Sequence, residues 1–213
     1  MNDLTSYHGN PNLKPLAYQH DFSKEEIAEY VKCKDDPVYF IEQYVKIITL
    51  DKGLQPFKLY PCQKEKVKCI MDHRRVVLME GRQQGKTVTS AACILHYTIF
   101  QEDKTVAIMA NKSSAAREVL NRYQIMYENL PIWMQQGVKT WNKGDVELEN
   151  NSKVLTAATT ASAIRGKSVN WLYIDEAAII PNNIADEFFT SVYPTISAGE
   201  TTKILLTSTP LGY

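Results

Sequence analysis

Two short stretches of this sequence have residue types and spacings that could do chemistry. The first is EGRQQGKT, residues 80–87. A glycine turn between a strand and a helix aims several backbone N–H groups, and the helix N-terminus, at one point, which favours an anion. There the segment Gly81, Arg82, Gln83, Gln84 and Gly85 would wrap a phosphate chain. Gly85 lets the backbone approach closely, Lys86 can reach β- and γ-phosphates, and the Thr87 hydroxyl can bind Mg²⁺. The usual pattern places a glycine where this chain has Glu80. Taken alone, the octet therefore also admits a plain glycine turn ahead of a helix.

The second stretch is WLYIDE, residues 171–176. It is a short apolar run ending in two acids, as a buried strand leaving the sheet would be. Asp175 can hold Mg²⁺, mostly through water, and Glu176 can orient or deprotonate an attacking water. Two acids after a strand can also simply cap the next helix. With the glycine loop upstream, the pair points instead to nucleotide hydrolysis.

Three weaker features converge on the same edge. Gln63, in YPCQKEKV, could read an adenine edge with donor and acceptor together, or be an exposed polar residue. Thr207, Ser208 and Thr209 follow an apolar run, where their hydroxyls could sense a γ-phosphate or its water; ordinary turn chemistry is the alternative. Arg82 sits inside the loop, and Arg165 precedes the acidic strand. An arginine near a γ-phosphate stabilises the transition state on the order of 10³-fold or more, but either residue could equally be a solvated charge.

The flanking elements must place these groups. Residues 1–20 contain Pro11 and Pro15 and read as a loose arm. A helix should start at Ser23, with Glu26 completing a capping box and Phe22 and Ile27 forming a hydrophobic staple. Asp36 and Pro37 begin a second helix whose apolar positions Val38, Ile41, Tyr44, Val45 and Ile48 recur at helical spacing. DKGLQPFKLY reads as a connector and PCQKEKVKCIMDH as a third helix. From Arg75 the pattern becomes strand (VVLME, with Glu80 as its last residue), loop and helix. TVAIMA is a strand, and an amphipathic helix follows through Val119, Leu120, Tyr123, Met126 and Leu130. DVELENNSKVLTA should be a hairpin about Asn150-Asn151. DEFFTSVYPTI is partly helical, and KILLTSTP is the last strand. Strands without alternation between helical patterns predict an α/β fold with a parallel sheet covered on both faces.

Bulk properties exclude several classes. Lys plus Arg equals Asp plus Glu at 24 each, so global charge does not hold this chain to nucleic acid, although a local basic strip could. Cys33, Cys62, Cys69 and Cys93 form no C-x-x-C pair and suit packing in a reducing compartment better than zinc or disulfides. No apolar run reaches membrane-spanning length, and the N-terminus has no signal-peptide core.

The combination resembles the ATPase domain of the large terminase subunit of tailed bacteriophages, especially T4-like packaging motors. The matching pieces are DPVYFIEQYVKI, LYPCQKEKV, GRQQGKT, WNKGDVELENNSKVLTAATTASAIRGKS, LYIDEAAIIP and ILLTSTPLG, over about residues 35–213. Each motif is moderately specific, and their joint order and spacing highly so. That family's loop often lacks the first glycine and keeps an Arg-Gln pair before GKT, so Glu80 does not argue against ATP.

The resemblance implies a P-loop NTPase fold of the ASCE/RecA-like class, with a mainly parallel central sheet flanked by helices. Residues 1–57 would form an arm and helical lid-like segment, and residues 58–213 the ATPase domain. It implies that Lys86 and Thr87 bind phosphate and Mg²⁺, Asp175 the metal, that Glu176 is the catalytic carboxylate and that Gln63 lies beside the adenine. Thr207, Ser208 and Thr209 would form the motif coupling hydrolysis to movement; Ser208 stands where the family usually has threonine but keeps the hydroxyl. Arg165 would reach a neighbouring subunit's ATP in a homo-oligomeric ring. Double-stranded DNA, a portal protein and a small terminase subunit are the implied partners, in the cytoplasm of an infected bacterium and on the prohead. The chain ends soon after the coupling motif, so a lid segment and an RNase H-like nuclease domain are expected to lie beyond it. Two other classes stay open at this point: a superfamily 2-like helicase, which needs a second RecA-like domain, and a non-catalytic nucleotide-binding protein.

Overall fold

The structure is a computed structural model and describes residues 6–158, 168–181 and 199–210, together with Asp186, Thr190 and Tyr193. The first helix, α1 (Lys24–Asp35), starts as its sequence demands. The Ser23 hydroxyl accepts from the Glu26 N–H at 3.1 Å, and the Glu26 carboxylate accepts from the Ser23 N–H at 2.9 Å. The expected staple is not buried: Phe22 and Ile27 are both exposed, and the Phe22 ring packs edge-on against His20. Asp36 caps α2 (Pro37–Tyr44) through the Tyr39 N–H at 3.0 Å.

This second helix stops four residues short of Ile48. Lys46–Thr49 (β1) instead pairs antiparallel with Gly53–Pro56 (β2), Ile47 facing Gln55 and Ile48 facing Leu54. Consecutive β-branched residues favour the pleated form here, and Gly53 supplies the positive φ of +65° that the hairpin needs. The presumed connector is therefore a two-stranded ribbon. Helix α3 (Pro61–Asp72) follows, burying Gln63, Lys66, Val67 and Ile70 along one face.

The central sheet has seven strands: β3 (Arg75–Met79), β4 (Thr105–Ala110), β5 (Val138–Trp141), β6 (Asp145–Leu148), β7 (Lys153–Ala158), β8 (Trp171–Ile174) and β9 (Lys203–Ser208). Their spatial order is β3-β9-β8-β4-β7-β6-β5. The first five are parallel, and β6 and β5 add an antiparallel margin. The hairpin about Asn150-Asn151 joins β6 to β7, with Asn151 left-handed at φ 62°. β5 is an additional strand that the sequence reading did not anticipate.

Helices α4 (Lys86–Phe100) and α5 (Ser113–Glu128) cover one face of the sheet. Along β4, Val106, Ile108 and Ala110 enter that core, while Ala107 and Met109 enter a smaller cluster on the other face with Leu172, Ile174 and Ile204. This is the period-2 alternation of a strand buried on both sides. Fully burying each large apolar side chain is worth about 1.5–3 kcal/mol, and β4, at the centre of the sheet, is the best-covered strand.

Coverage on both faces does not extend to the edge. β3 is the edge strand among the described residues, and Val77 and Met79 are 70% and 65% exposed. Lys203 links this margin to α3. Its ammonium donates to the carbonyls of Ile70, Met71 and His73 at 3.2, 2.6 and 2.9 Å, capping the helix C-terminus.

Candidate active site

Parallel pairing of β3, β9 and β8 brings three carboxyl-terminal strand ends side by side. Met79 is in register with Ser208, and Leu206 with Ile174. The Glu80 N–H continues the ladder to the Ser208 carbonyl at 3.1 Å, so the strand pairing runs one residue past Met79, as expected of Glu80. The chain then turns through residues 81–84 and enters α4 at Gly85. Gln83 and Gly85 are left-handed, at φ 61° and 77°.

Gly85 is required twice over. Its φ is one that only glycine adopts freely. A Cβ there would also lie 2.6 Å from Gln63 Nε2, with no room for both.

Lys86 begins the helix and turns its buried ammonium back over the loop. Nζ donates to the carbonyls of Glu80 and Gly81 at 3.3 and 3.2 Å and to the Thr209 hydroxyl at 3.3 Å, and it lies 3.9 Å from the Glu176 carboxylate. The Thr87 hydroxyl donates to Asp175 Oδ2 at 3.1 Å. Thr207, fully buried, donates to Asp175 Oδ1 at 2.7 Å and so accepts from the Tyr173 hydroxyl at 3.2 Å. Burial, with the adjacent Asp175 charge adding to it, pushes the Tyr173 phenol well above its ordinary pKa, which keeps it a donor.

Glu176 follows in a left-handed conformation, φ 52° and ψ 48°. This is uncommon for a non-glycine residue and typical of functional positions. It solves the problem of adjacent strand residues facing opposite ways: the chain leaves the sheet at Asp175, and both carboxylates reach one edge. Glu176 is held by the Thr209 N–H at 3.1 Å and by the Thr209 hydroxyl, 3.1 Å from each carboxylate oxygen. The Ser208 hydroxyl accepts from the Ala178 N–H at 3.1 Å and donates to the Thr209 carbonyl at 3.2 Å. All three hydroxyls of residues 207–209 therefore engage the acidic strand end or the turn after it.

The loop borders a cavity of about 320 Å³ lined by residues 82–88 with Arg122 and Glu176. Exposed Arg82 sits on its wall. An adjoining, more apolar cavity of about 540 Å³ lies among Ile47, Ile48, Val88, Ile125 and Met126, and shares Gln83, Gly85 and Arg122 with the first. The unanticipated β1–β2 ribbon supplies one wall of it.

The donor set at the phosphate side fits Mg²⁺. One carboxylate and one hydroxyl, both hard oxygens, suit an ion that keeps several waters and takes the rest of its shell from phosphate. Among the described residues no cluster of three or more Asp, Glu, His or Cys forms an all-protein cage, which that mode of binding does not need.

Gln63 is buried, and its amide is used within the fold. Oε1 accepts from the Tyr60 N–H at 3.0 Å, and Nε2 is 3.5 Å from the Gln84 carbonyl. Arg165 lies outside the described residues. Two groups escaped the sequence reading. Arg122 faces both cavities from α5, and Lys66 contacts Glu80 and the Gln84 carbonyl from α3. The available signal for Lys66 was its place one turn after Gln63 on the same helix.

Residues 77–212 match the family model for the terminase large subunit, T4likevirus-type, N-terminal. Among solved structures, the chain is similar to the large terminase of bacteriophage HK97, with TM-score 0.66 and 20% identity over 82% of this chain and 37% of that one. The ATPase domain of the large terminase of Thermus phage P74-26 aligns with TM-score 0.59 and 20% identity over 74% of this chain and 67% of that one. The large terminase of another thermophilic bacteriophage, in complex with ATP-gamma-S, aligns with TM-score 0.53 and 10% identity over 71% of this chain and 38% of that one. At these identities the structural likeness is one of fold, and the chain spans 37% of the HK97 protein's length.

Proposed function

The chain belongs to the T4-like family of terminase large subunits, forming its N-terminal ATPase region, and from that premise we propose that it hydrolyses ATP to drive double-stranded DNA into a phage prohead. The observation that carries the reading is the convergence of Lys86, Thr87, Asp175, Glu176 and Thr209 at one sheet edge, beside a loop of backbone amides.

In this reading the phosphate chain lies along residues 81–87, with Lys86 exchanging its loop carbonyls for β- and γ-phosphate oxygens. The sugar and base extend into the apolar cavity behind Val88 and Ile47. Thr87 and Asp175 hold Mg²⁺, which when bound neutralises the charge on the phosphate oxygens. Glu176 accepts a proton from the water that attacks the γ-phosphorus, and the bond to the β-phosphate bridging oxygen breaks to release ADP. Catalysis comes mainly from positioning and from preorganised charge. Arg82 is available in cis on the cavity wall, and Arg165 is proposed to act on a neighbouring subunit's nucleotide in a ring. Gln63 supports the loop from behind, and reading an adenine edge would require its Nε2 to leave the Gln84 carbonyl.

The portal protein, a small terminase subunit and DNA are the proposed partners, met in the cytoplasm of the infected host and on the prohead. No described helix is long and apolar enough to cross a membrane. The deciding experiment compares wild type, Glu176→Gln and Lys86→Ala for ATP hydrolysis and for binding of a fluorescent ATP analogue. Glu176→Gln should bind but not turn over, and Lys86→Ala should lose binding. Hydrolysis at the wild-type rate by Glu176→Gln would remove the assignment.

A further inference from the structure

The residue that departs from the usual loop pattern, Glu80, forms an ion pair. Lys66 Nζ lies 2.6 Å from Glu80 Oε2, with side-chain exposures of 4% and 26%. The same ammonium donates to the Gln84 carbonyl at 3.3 Å, and Gln63 Nε2, one helical turn earlier, is 3.5 Å from that oxygen. Both donors project from α3, which is separate from the strand and helix that flank the loop.

Across a trans peptide the C=O and N–H point in opposite directions, and no described peptide is cis. Drawing the Gln84 carbonyl toward Lys66 and Gln63 therefore turns the Gly85 N–H away from α3. Gln84 and Gly85 both line the phosphate-side cavity, and no described acceptor takes the Gly85 N–H. Glu80 fixes the ammonium at the entrance of the loop, and the Gln84 carbonyl uses it at the exit. The left-handed Gly85 carries this orientation into the first turn of α4.

We propose that Lys66 is a positioning residue for nucleotide binding: anchored by Glu80, it holds the Gln84–Gly85 peptide so that the Gly85 amide faces the phosphate. Glu80 then replaces the missing glycine with a different device. The loop loses some conformational freedom at its start and is clamped in an anion-receptive form by α3. This inference rests on the ATP reading above.

The test separates stability from orientation, because removing Lys66 alone leaves Glu80 with no partner. Lys66→Met should lower both the thermal midpoint and the affinity for ADP. In Lys66→Met combined with Glu80→Gln no carboxylate is left unpaired, so the thermal midpoint should recover most of the way. ADP affinity should stay at least tenfold below wild type, and KM for ATP should rise while kcat changes little. An independent readout uses unmodified protein labelled with ¹³C-glutamine and ¹⁵N-glycine, which isolates the two Gln–Gly amides, Gly85 and Gly137. The Gly85 amide should shift strongly on saturation with ADP, and Gly137 should not.

Wild-type ADP affinity in the double variant, or a Gly85 amide that does not move when ADP binds, would overturn the positioning role and leave the ATP reading intact. Wild-type protein that binds no nucleotide would overturn both.

Discussion

The Thr209 hydroxyl stands between Lys86 and Glu176, 3.3 Å from the ammonium and 3.1 Å from each carboxylate oxygen. Glu176 is thereby fastened to the end of β9, so displacement of that strand end moves the proposed base. Removing one hydrogen bond to a charged group is worth about 1.5–3 kcal/mol, or roughly tenfold or more in rate. Thr209→Val keeps the shape and the backbone N–H but loses the hydroxyl. It should lower kcat about tenfold with KM little changed, and Thr209→Ser should recover most of the loss. Steady-state ATPase assays check this, and an unaltered kcat in Thr209→Val would separate Thr209 from the chemistry.

Gly85 makes a sharper prediction because two independent constraints meet there. Alanine at φ 77° costs about 1 kcal/mol or more, and its Cβ would meet Gln63 Nε2 at 2.6 Å. Gln63 must then withdraw from the Gln84 carbonyl. Gly85→Ala should lower the thermal midpoint and weaken ADP binding at least tenfold. Adding Gln63→Ala relieves the collision but not the backbone strain, so only part of the stability should return. Full recovery in the double variant would mean that the left-handed backbone carries no cost here.

Arg122 offers a test of how the nucleotide lies across the two cavities. Its guanidinium faces both, its Nε is buried with no hydrogen-bond partner, and its nearest carboxylate is Glu118 at 3.6 Å on the same helix. A donor so placed suits the ribose or the α-phosphate, which are bound alike in ground and transition states. Loss of such uniform binding raises KM without lowering kcat. Arg122→Ala should raise KM for ATP about fivefold with kcat within about twofold. A matching fall in kcat would place the guanidinium at the γ-phosphate instead.

How much of this was legible depended on whether local chemistry or tertiary pairing set the outcome. The capping box at Ser23, the Asp36-Pro37 helix start, the glycine loop and the acids ending β8 are local, and the structure has each where the sequence put it. Ile48 could not be assigned from helical spacing, since KIIT becomes a strand only because Gly53–Pro56 folds back on it. β5 is likewise stabilised by β6 rather than by its own four residues. At the site, the residue types of Asp175, Glu176 and Thr207–Thr209 were legible, but their partners were not. The Thr207–Asp175 and Thr209–Glu176 contacts come from the register of β9 against β8. Lys66 and Arg122 carry no motif, and only the packing of α3 and α5 brings them to the loop.

His96 predicts a pH dependence of folding that is independent of the nucleotide site. It is buried on α4 against Phe40 and Phe100, with Nε2 2.9 Å from the Cys33 carbonyl and Nδ1 buried without a partner. Nε2 therefore carries the proton and donates it. Burial lowers the imidazole pKa to about 4, outweighing the opposing influence of the Cys33 and Lys34 carbonyls and of Asp36. An unfolded histidine titrates near 6.5, so between these values the unfolded chain binds more protons than the folded one. Stability from this group is complete above pH 6.5 and is lost progressively as the pH falls toward 4. At 1.36 kcal/mol per pH unit, the loss between pH 6.5 and 5 is about 2 kcal/mol. His96→Gln retains a donor for Cys33 but cannot titrate. Urea unfolding at pH 7.5 and 5.0 should show the wild type losing about 2 kcal/mol more than the variant, since the surface carboxylates common to both cancel. Equal losses in the two proteins would mean that the imidazole takes up its proton within the fold.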